Sequence, residues 1–161
     1  MSNAPVRAAD FRHALSHFPS GVVVITVRDA EGVDHGMTVS AFCSLSLDPP
    51  LVLSCIGHDA TIAEAVAAAD SFGVSVLGED QHALSTRFAA AHEDRFDGVP
   101  VSRGSLGVAL LSGALAQIEC AIVGRHESGD HTIVVGKVIG VQTRDGLPLV
   151  YFRGAYHRLD R

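Results

Sequence analysis

The stretch Gly36-Met37-Thr38-Val39-Ser40-Ala41-Phe42-Cys43-Ser44-Leu45-Ser46-Leu47-Asp48-Pro49-Pro50-Leu51-Val52-Leu53-Ser54-Cys55-Ile56 decides how the chain is read. Residues 37–41 and 51–56 have the composition of strands, and Asp48-Pro49-Pro50 breaks the chain between them. Small hydroxyl residues at 38, 40, 44 and 46 interrupt the apolar pattern, so O–H donors and backbone amides lie along an apolar wall. A flat, polar-edged heterocycle needs that combination: apolar surface for its rings and donors for its carbonyls and nitrogens. An ordinary strand with a Ser/Thr-rich turn accounts for the composition equally well.

Working toward the N-terminus, residues 22–27 form a β-branched run that ends at the turn Ala30-Glu31-Gly32. Before it, Phe11, Leu15 and Phe18 recur at helical spacing behind Asp10, a plausible N-cap, and Pro19-Ser20-Gly21 stops the helix. Toward the C-terminus, Asp59-Ala60-Thr61 opens an alanine-rich helix to residue 69, with Asp59 as a possible cap. A strand at 72–77 and a helix from 79 to about 91 follow, and 106–111 is ambiguous. Residues 114–124 and 132–141 are long strand patterns joined by the hairpin Ser128-Gly129-Asp130-His131. A turn at Asp145-Gly146 leads into the last strand, 149–152. Strands do not alternate regularly with helices, which argues against a doubly wound parallel sheet. The expectation is one domain over residues 1–161, mainly β with peripheral helices: a closed or partly closed antiparallel barrel of six or seven strands and about three helices.

Composition narrows the function. The chain has 161 residues, 47% hydrophobic and 19% charged, with a formal net charge of −6. Lys137 is the only lysine and no basic cluster exists, so binding driven by phosphate neutralisation of a nucleic acid is not expected. No apolar run approaches the roughly 20 residues of a membrane span, so no membrane association is expected. The apolar surplus points instead to a subunit interface or an apolar ligand slot. Cys43, Cys55 and Cys120 are odd in number, without C-x-x-C spacing, and no apolar leader precedes them, which fits a reducing cytoplasm. Their apolar surroundings suggest buried small hydrophobes. His13 and His17 are four apart, but the same helix carries Arg12 and no third ligand is evident, so a solvated face is favoured and no metal is expected. The G-x-G-x-x-G, phosphate-loop, G-x-S-x-G and H-E-x-x-H signatures are absent.

Several fragments together carry a resemblance. Thr38-Val39-Ser40-Ala41-Phe42 followed by Ser44-Leu45-Ser46-Leu47-Asp48-Pro49-Pro50-Leu51-Val52 resembles the core motif of the flavin reductase-like family. Phe18-Pro19-Ser20-Gly21-Val22, Arg87-Phe88-Ala89, Gly129-Asp130-His131 and Tyr151-Phe152-Arg153-Gly154-Ala155-Tyr156 extend it over nearly the whole chain, in the family's order. The resemblance implies an FMN-binding split β-barrel that pairs as a homodimer, with flavin in a groove between subunits. It implies NADH-dependent hydride transfer from nicotinamide C4 to flavin N5, with FMN or FAD as acceptor. Reduced flavin would then diffuse to a flavin-dependent monooxygenase component.

Residue by residue, the resemblance puts Met37, Thr38, Val39, Ser40, Ala41, Ser44 and Leu45 along the isoalloxazine. Ser54, Cys55, Ile56 and Thr61 would reach the ribityl chain and phosphate, and Arg87 and Phe88 would cover the flavin from the helix side. The nicotinamide nucleotide would meet Ser46, Tyr151, Phe152, Arg153, Gly154, Tyr156 and His131, the last as the catalytic-site histidine. Chemistry agrees on several points. Hydride transfer between two cofactors needs alignment more than an acid or base. Donors along one ring edge stabilise the charge of a reduced flavin. The helix near Thr61 offers N–H groups to a phosphate. His131 beside Asp130 can face an anion or position a group. The family often carries Arg, Lys or Ser near Gly57-His58-Asp59-Ala60, where this chain has only His58 and Thr61 as donors. Fewer groups are then left for a terminal phosphate, and loose binding would suit an enzyme that uses flavin as a substrate. Two alternatives stay open: reduction of a ferric or corrinoid acceptor through bound flavin, and a flavin-binding redox module without turnover.

Overall fold

Val23, Val24, Ile25, Thr26 and Val27 are β-branched, and each is buried, so this strand is covered on both faces. The structure is a computed structural model that describes residues 5–91 and 94–159. Helix α1 (Ala8–Leu15) leads through strand β1 (Ser20–Gly21) into β2 (Val23–Arg28), β3 (Asp34–Val39), β4 (Phe42–Leu47) and β5 (Pro50–Gly57). Helix α2 (Ala63–Ala68), β6 (Ser71–Val76), a 3-10 turn at Glu79–Gln81 and helix α3 (His82–Ala89) follow. Next come β7 (Val101–Arg103), β8 (Ala109–Leu111), β9 (Ala116–Ser128), β10 (His131–Thr143), β11 (Val150–Phe152) and β12 (Ala155–His157).

The main sheet has seven antiparallel strands in the order β3-β2-β6-β9-β10-β5-β4. Its two edge strands, β3 and β4, are consecutive in the chain with only Ser40 and Ala41 between them. A flat sheet of this order would hold its edges about 29 Å apart, whereas Val39 to Phe42 is at most about 11 Å of chain. The sheet must therefore curl until its edges meet at Ser40-Ala41. At that corner Cys55 N, on β5, donates to Ala41 O at 3.0 Å, and no β3–β4 ladder forms among the described residues. The result is a split β-barrel with peripheral helices.

Alternation divides β2 between two cores. Val23, Ile25 and Val27 point into the barrel with Val39, Phe72 and Val134, and Ile62 and Val66 at and in α2 pack there too. Val22 and Val24 point outward to Leu77, Phe88, Leu111 and Leu149. Gly36 lets α3 approach β3: a Cβ there would lie 2.8 Å from the Phe88 ring and 3.0 Å from Phe96.

Three details differ from the sequence reading. Five short strands add a three-stranded ribbon, β1-β11-β12, and a two-stranded ribbon, β7-β8, to the seven of the sheet. The ambiguous 106–111 segment contributes β8. Neither expected N-cap forms: Asp10 lies inside α1 and pairs with Arg7 at 2.8 Å, and Ile62 rather than Asp59 precedes α2.

Candidate functional site

The barrel corner opens on a groove of about 850 Å³. Ser40, Ala41, Phe42 and Cys43 form its floor, with Leu53 and Cys55 beside them on β5. One wall is α1, through Phe11, Arg12, Leu15 and Ser16, continued by Phe18 and Ser20. The other is the β11–β12 hairpin, through Tyr151, Phe152, Arg153 and Gly154. That hairpin turns in two residues, Arg153 at φ 50° and Gly154 at φ 79°, as a type I′ turn requires. Arg153 is the only non-glycine residue with positive φ among the described residues. Its guanidinium lies 5.3 Å from the Phe152 ring, and its N–H donates to Ser16 O at 3.0 Å, tying the hairpin to α1.

Ser40 and Tyr151 also line a recess of about 220 Å³ with Val22, Thr38, Ala89 and Tyr156. The Thr38 hydroxyl donates to Ser85 O at 2.7 Å, and Ser85 Oγ lies 2.7 Å from the Tyr156 hydroxyl. Both groups are thus positioned by α3.

Ser40, Ala41, Cys55, Tyr151, Phe152, Arg153 and Gly154 come together in the groove, and Thr38 and Tyr156 in the recess beside it. Four expected flavin contacts do not present their side chains there. Phe88 (0% exposed), Ser54 (1%), Ile56 (3%) and Val39 (6%) are core residues, with the Ser54 hydroxyl turned to Ala41 O. Alternation along β3 and β5 sends Val39, Ser54 and Ile56 inward, and Phe88 packs from α3 into the second core. Met37 likewise packs against the barrel core. Arg87 does not cover the groove: its Nη2 donates to Asp94 O at 2.9 Å and Asp97 O at 2.6 Å, bracing the loop after α3. Ser44, Leu45 and Ser46 stand on edge strand β4, outside the groove lining. Thr61 lines a separate cavity at the far end of β3.

His131 lies at the tip of the β9–β10 hairpin, across the ladder from Gly57, while Ile133 faces groove residue Cys55. It is therefore about 7 Å further along β5 than Cys55. The turn is Gly129-Asp130, with Gly129 at φ 67°. His131 Nδ1 lies 2.7 Å from Asp130 Oδ1, and this hydrogen bond holds the Asp130 carboxyl below the usual carboxylate range. His58 Nε2 pairs with Glu127 Oε2 at 2.8 Å in the same cluster.

The cysteines do not share one environment. Cys120 is buried, and desolvation pushes its thiol up to about 12. Cys55 is partly buried and raised, first by desolvation and then by Cys43. Cys43 is exposed in the groove, against the expectation of burial, because the edge strand β4 has no partner beyond it.

Sequence reading missed α1 as a wall of the site. Phe11, Leu15 and Phe18 mark the helix, but the same spacing describes a core face or a groove face. Arg12, assigned to a solvated face, lines the groove instead.

Residues 15–160 match the flavin reductase-like domain. An NADH-dependent flavin reductase of Rhodococcus sp is 43% identical over 153 residues, covering 92% of this chain and 85% of that protein. The reductase component of a 4-nitrophenol 4-monooxygenase/4-nitrocatechol 2-monooxygenase from Rhodococcus opacus is 38% identical over 152 residues, covering 94% of this chain and 81% of that protein. Among solved structures, the NADH:FAD oxidoreductase SgcE6 of Streptomyces globisporus C-1027, in complex with NAD and FAD fragments, superposes with a TM-score of 0.91 at 36% identity. That superposition covers 98% of each chain. With the barrel corner, the Gly-Asp-His hairpin and the C-terminal hairpin all in place, the chain belongs to the flavin reductase-like family.

Proposed function

We propose that this protein is an NADH-dependent flavin reductase that takes FMN or FAD in the groove at the barrel corner and releases reduced flavin to a partner monooxygenase. One observation carries the assignment. On a chain of net charge −6, the groove is lined by aromatic and apolar residues and two arginines, Arg12 and Arg153, with no carboxylate. Such a slot suits a planar heterocycle with an anionic tail. When bound, the flavin accepts a hydride from the nicotinamide.

The chain's own part is alignment and exclusion of water. Phe42, Leu53 and Cys55 supply apolar surface, and Ser40 and Ala41 bring small side chains and main-chain groups to the ring edge. Tyr151, Phe152 and Arg153 sit where the nicotinamide nucleotide would enter, and His131, held by Asp130, orients it from the hairpin. No cluster of cations is available for a 2′-phosphate, which favours NADH over NADPH. That preference agrees with the relatives named above.

The whole of 1–161 acts as one domain in this reading, and two copies pair. Exposed Leu45 and Leu47 on β4, with Val123, Ile139 and Val141 on β9 and β10, supply apolar surface for a homodimer. No described helix is long and apolar enough to cross a membrane. The free cysteines are compatible with the cytoplasm. Steady-state assays crossing NADH and NADPH with FMN, FAD and riboflavin test the assignment. Flavin-dependent loss of the reduced nicotinamide absorbance supports it, and no turnover with any pair overturns it. Light scattering at micromolar concentration tests the dimer.

A further inference from the structure

Ser85 lies in the middle of α3 and is fully buried. A hydroxyl in a helix interior usually faces solvent or bonds the carbonyl four residues back. Its neighbour Thr86 does the latter, donating to His82 O at 3.2 Å. Ser85 is turned to another element: its Oγ lies 2.7 Å from the Tyr156 hydroxyl on β12. Its main-chain oxygen is engaged outside α3 as well, accepting from the Thr38 hydroxyl on β3 at 2.7 Å. One residue thus joins the end of β3 to the C-terminal hairpin.

The hairpin needs such an anchor. β11 and β12 have three residues each and lie outside the seven-stranded sheet. β11 ladders with β1 through Tyr151–Ser20 and Val150–Gly21, whereas β12 pairs only with β11 among the described residues. A ribbon this short is marginal without support from the body of the protein. Tyr156 supplies that support for β12. It packs against the second core and meets the His82 ring edge-on, with centroids 4.4 Å apart. Apolar packing alone is non-directional and would let the ring slide; the hydrogen bond to Ser85 fixes how deep it sits. Tyr156 also stands across the ladder from Tyr151, with the rings 5.5 Å apart. Tyr151, Phe152, Arg153 and Gly154 on the same hairpin form one wall of the groove.

We propose that Ser85 is a positioning residue for the reductase reaction. Its hydroxyl fixes Tyr156, and through Tyr156 the hairpin wall that meets the nicotinamide nucleotide, before that ligand arrives. A wall already in place costs less ordering when the ligand binds. The task given to the wall rests on the flavin reductase reading; the link from Ser85 to the hairpin rests on the contacts alone.

Two variants break the link from opposite sides. Ser85→Ala removes the hydroxyl, leaves the carbonyl that accepts from Thr38, and puts a stronger helix former into α3, so the protein should fold. Tyr156→Phe removes the other half of the bond and keeps the ring. The first measurement needs no turnover: hydrogen exchange of the ligand-free protein, followed by mass spectrometry. Peptides covering 150–157 should exchange about three- to tenfold faster in either variant, with the β9–β10 hairpin unchanged. Unchanged exchange over 150–157, or equal acceleration in both hairpins, overturns the link.

Steady-state kinetics with NADH and FMN then test the positioning. Each variant should raise the NADH KM about three- to tenfold and leave the FMN KM within about twofold. The double variant should be no worse than either single one, because both changes remove the same bond. Multiplying effects, an unchanged NADH KM, or a rise confined to the FMN KM overturns the proposal. Absence of turnover with any flavin overturns the flavin reductase reading instead, and the exchange measurement still decides whether Ser85 holds the hairpin.

Discussion

The two ends of β3 face unlike surroundings. At Ser40 the strand opens on a groove of aromatic and aliphatic side chains, assembled from α1, the barrel corner and the C-terminal hairpin. At Gly36 it meets a smaller cavity whose lining includes Asp34, His35, Thr61 and the buried Arg95. The first region is lined mainly by aromatic and apolar side chains, the second by charged and polar ones with Gly36, Ile62, Ala91 and Phe96. An acidic chain with a single lysine has few cations to spend, and it places its arginines locally: Arg12 and Arg153 at the groove, Arg95 at the cavity.

The largest expected effect tests where the boundary of the groove lies. Phe88 is fully buried against Gly36 and Phe96, so Phe88→Ala should lower stability by about 3–5 kcal/mol, read as a drop in thermal midpoint. The flavin KM of the protein that remains folded should not change. A shift in flavin KM without loss of stability would return Phe88 to the site.

Filling the groove comes next. Ala41 is exposed on its floor, so Ala41→Trp should raise the flavin KM by at least about tenfold. The thermal midpoint should stay near that of wild type, because Ala41 is exposed and the cavity at Arg95 is separate. A fall in the midpoint alongside the rise in KM would show that residue 41 acts through the fold rather than through the groove.

Arg12→Ala and Arg153→Ala should each raise a cofactor KM by about three- to tenfold. Both side chains line an open groove, so raised salt should shrink the effect. Salt-independent losses would point to structural damage instead.

The smallest effect concerns the hairpin. Asp130→Asn should raise the NADH KM a few-fold and spare flavin binding, and His131→Ala should act in the same direction. The Asp130 carboxyl is held below its ordinary range by the His131 hydrogen bond, so its charge is present at neutral pH and lost as pH falls through that lowered range. The difference between wild type and D130N should therefore narrow on acidification. A gap that widens in acid would show that Asp130 does not act through its charge.

Much of this was legible in the sequence, and the failures have physical causes. The Asp48-Pro49-Pro50 break located the turn before β5, and Gly129-Asp130 located the long hairpin, because turn chemistry is local; β4 and the corner at Ser40-Ala41 carry no such turn signal and were not read from the sequence. Alternation along strands, applied strictly, also separates Ser40 from buried Val39 and exposes Cys43. The resemblance names stretches without regard to facing, which is why Val39, Ser54 and Ile56 were grouped with the contacts.

Other parts had no local signal. The β11–β12 turn places Arg153 in the left-handed region where Asn or Gly is usual, so β12 was not visible. Phe11 and Phe88 both mark amphipathic helices, yet one lines the groove and the other the core. Which way a helix faces is set by the sheet it meets. Arg95 sits in a polar segment, Glu93-Asp94-Arg95, and only tertiary contact with Gly36 shows that it is buried.

The central claim, that flavin occupies the groove at the barrel corner during turnover, can be read from one thiol. Cys43 is exposed on the groove floor, Cys55 is partly buried with a raised thiol, and burial pushes Cys120 up to about 12. Alkylation by iodoacetamide, followed by peptide mass spectrometry, should therefore modify Cys43 first. Oxidised flavin should slow that modification, with half-protection near the flavin KM measured in the NADH assay. Modification of Cys43 at the same rate with and without saturating flavin would contradict the account.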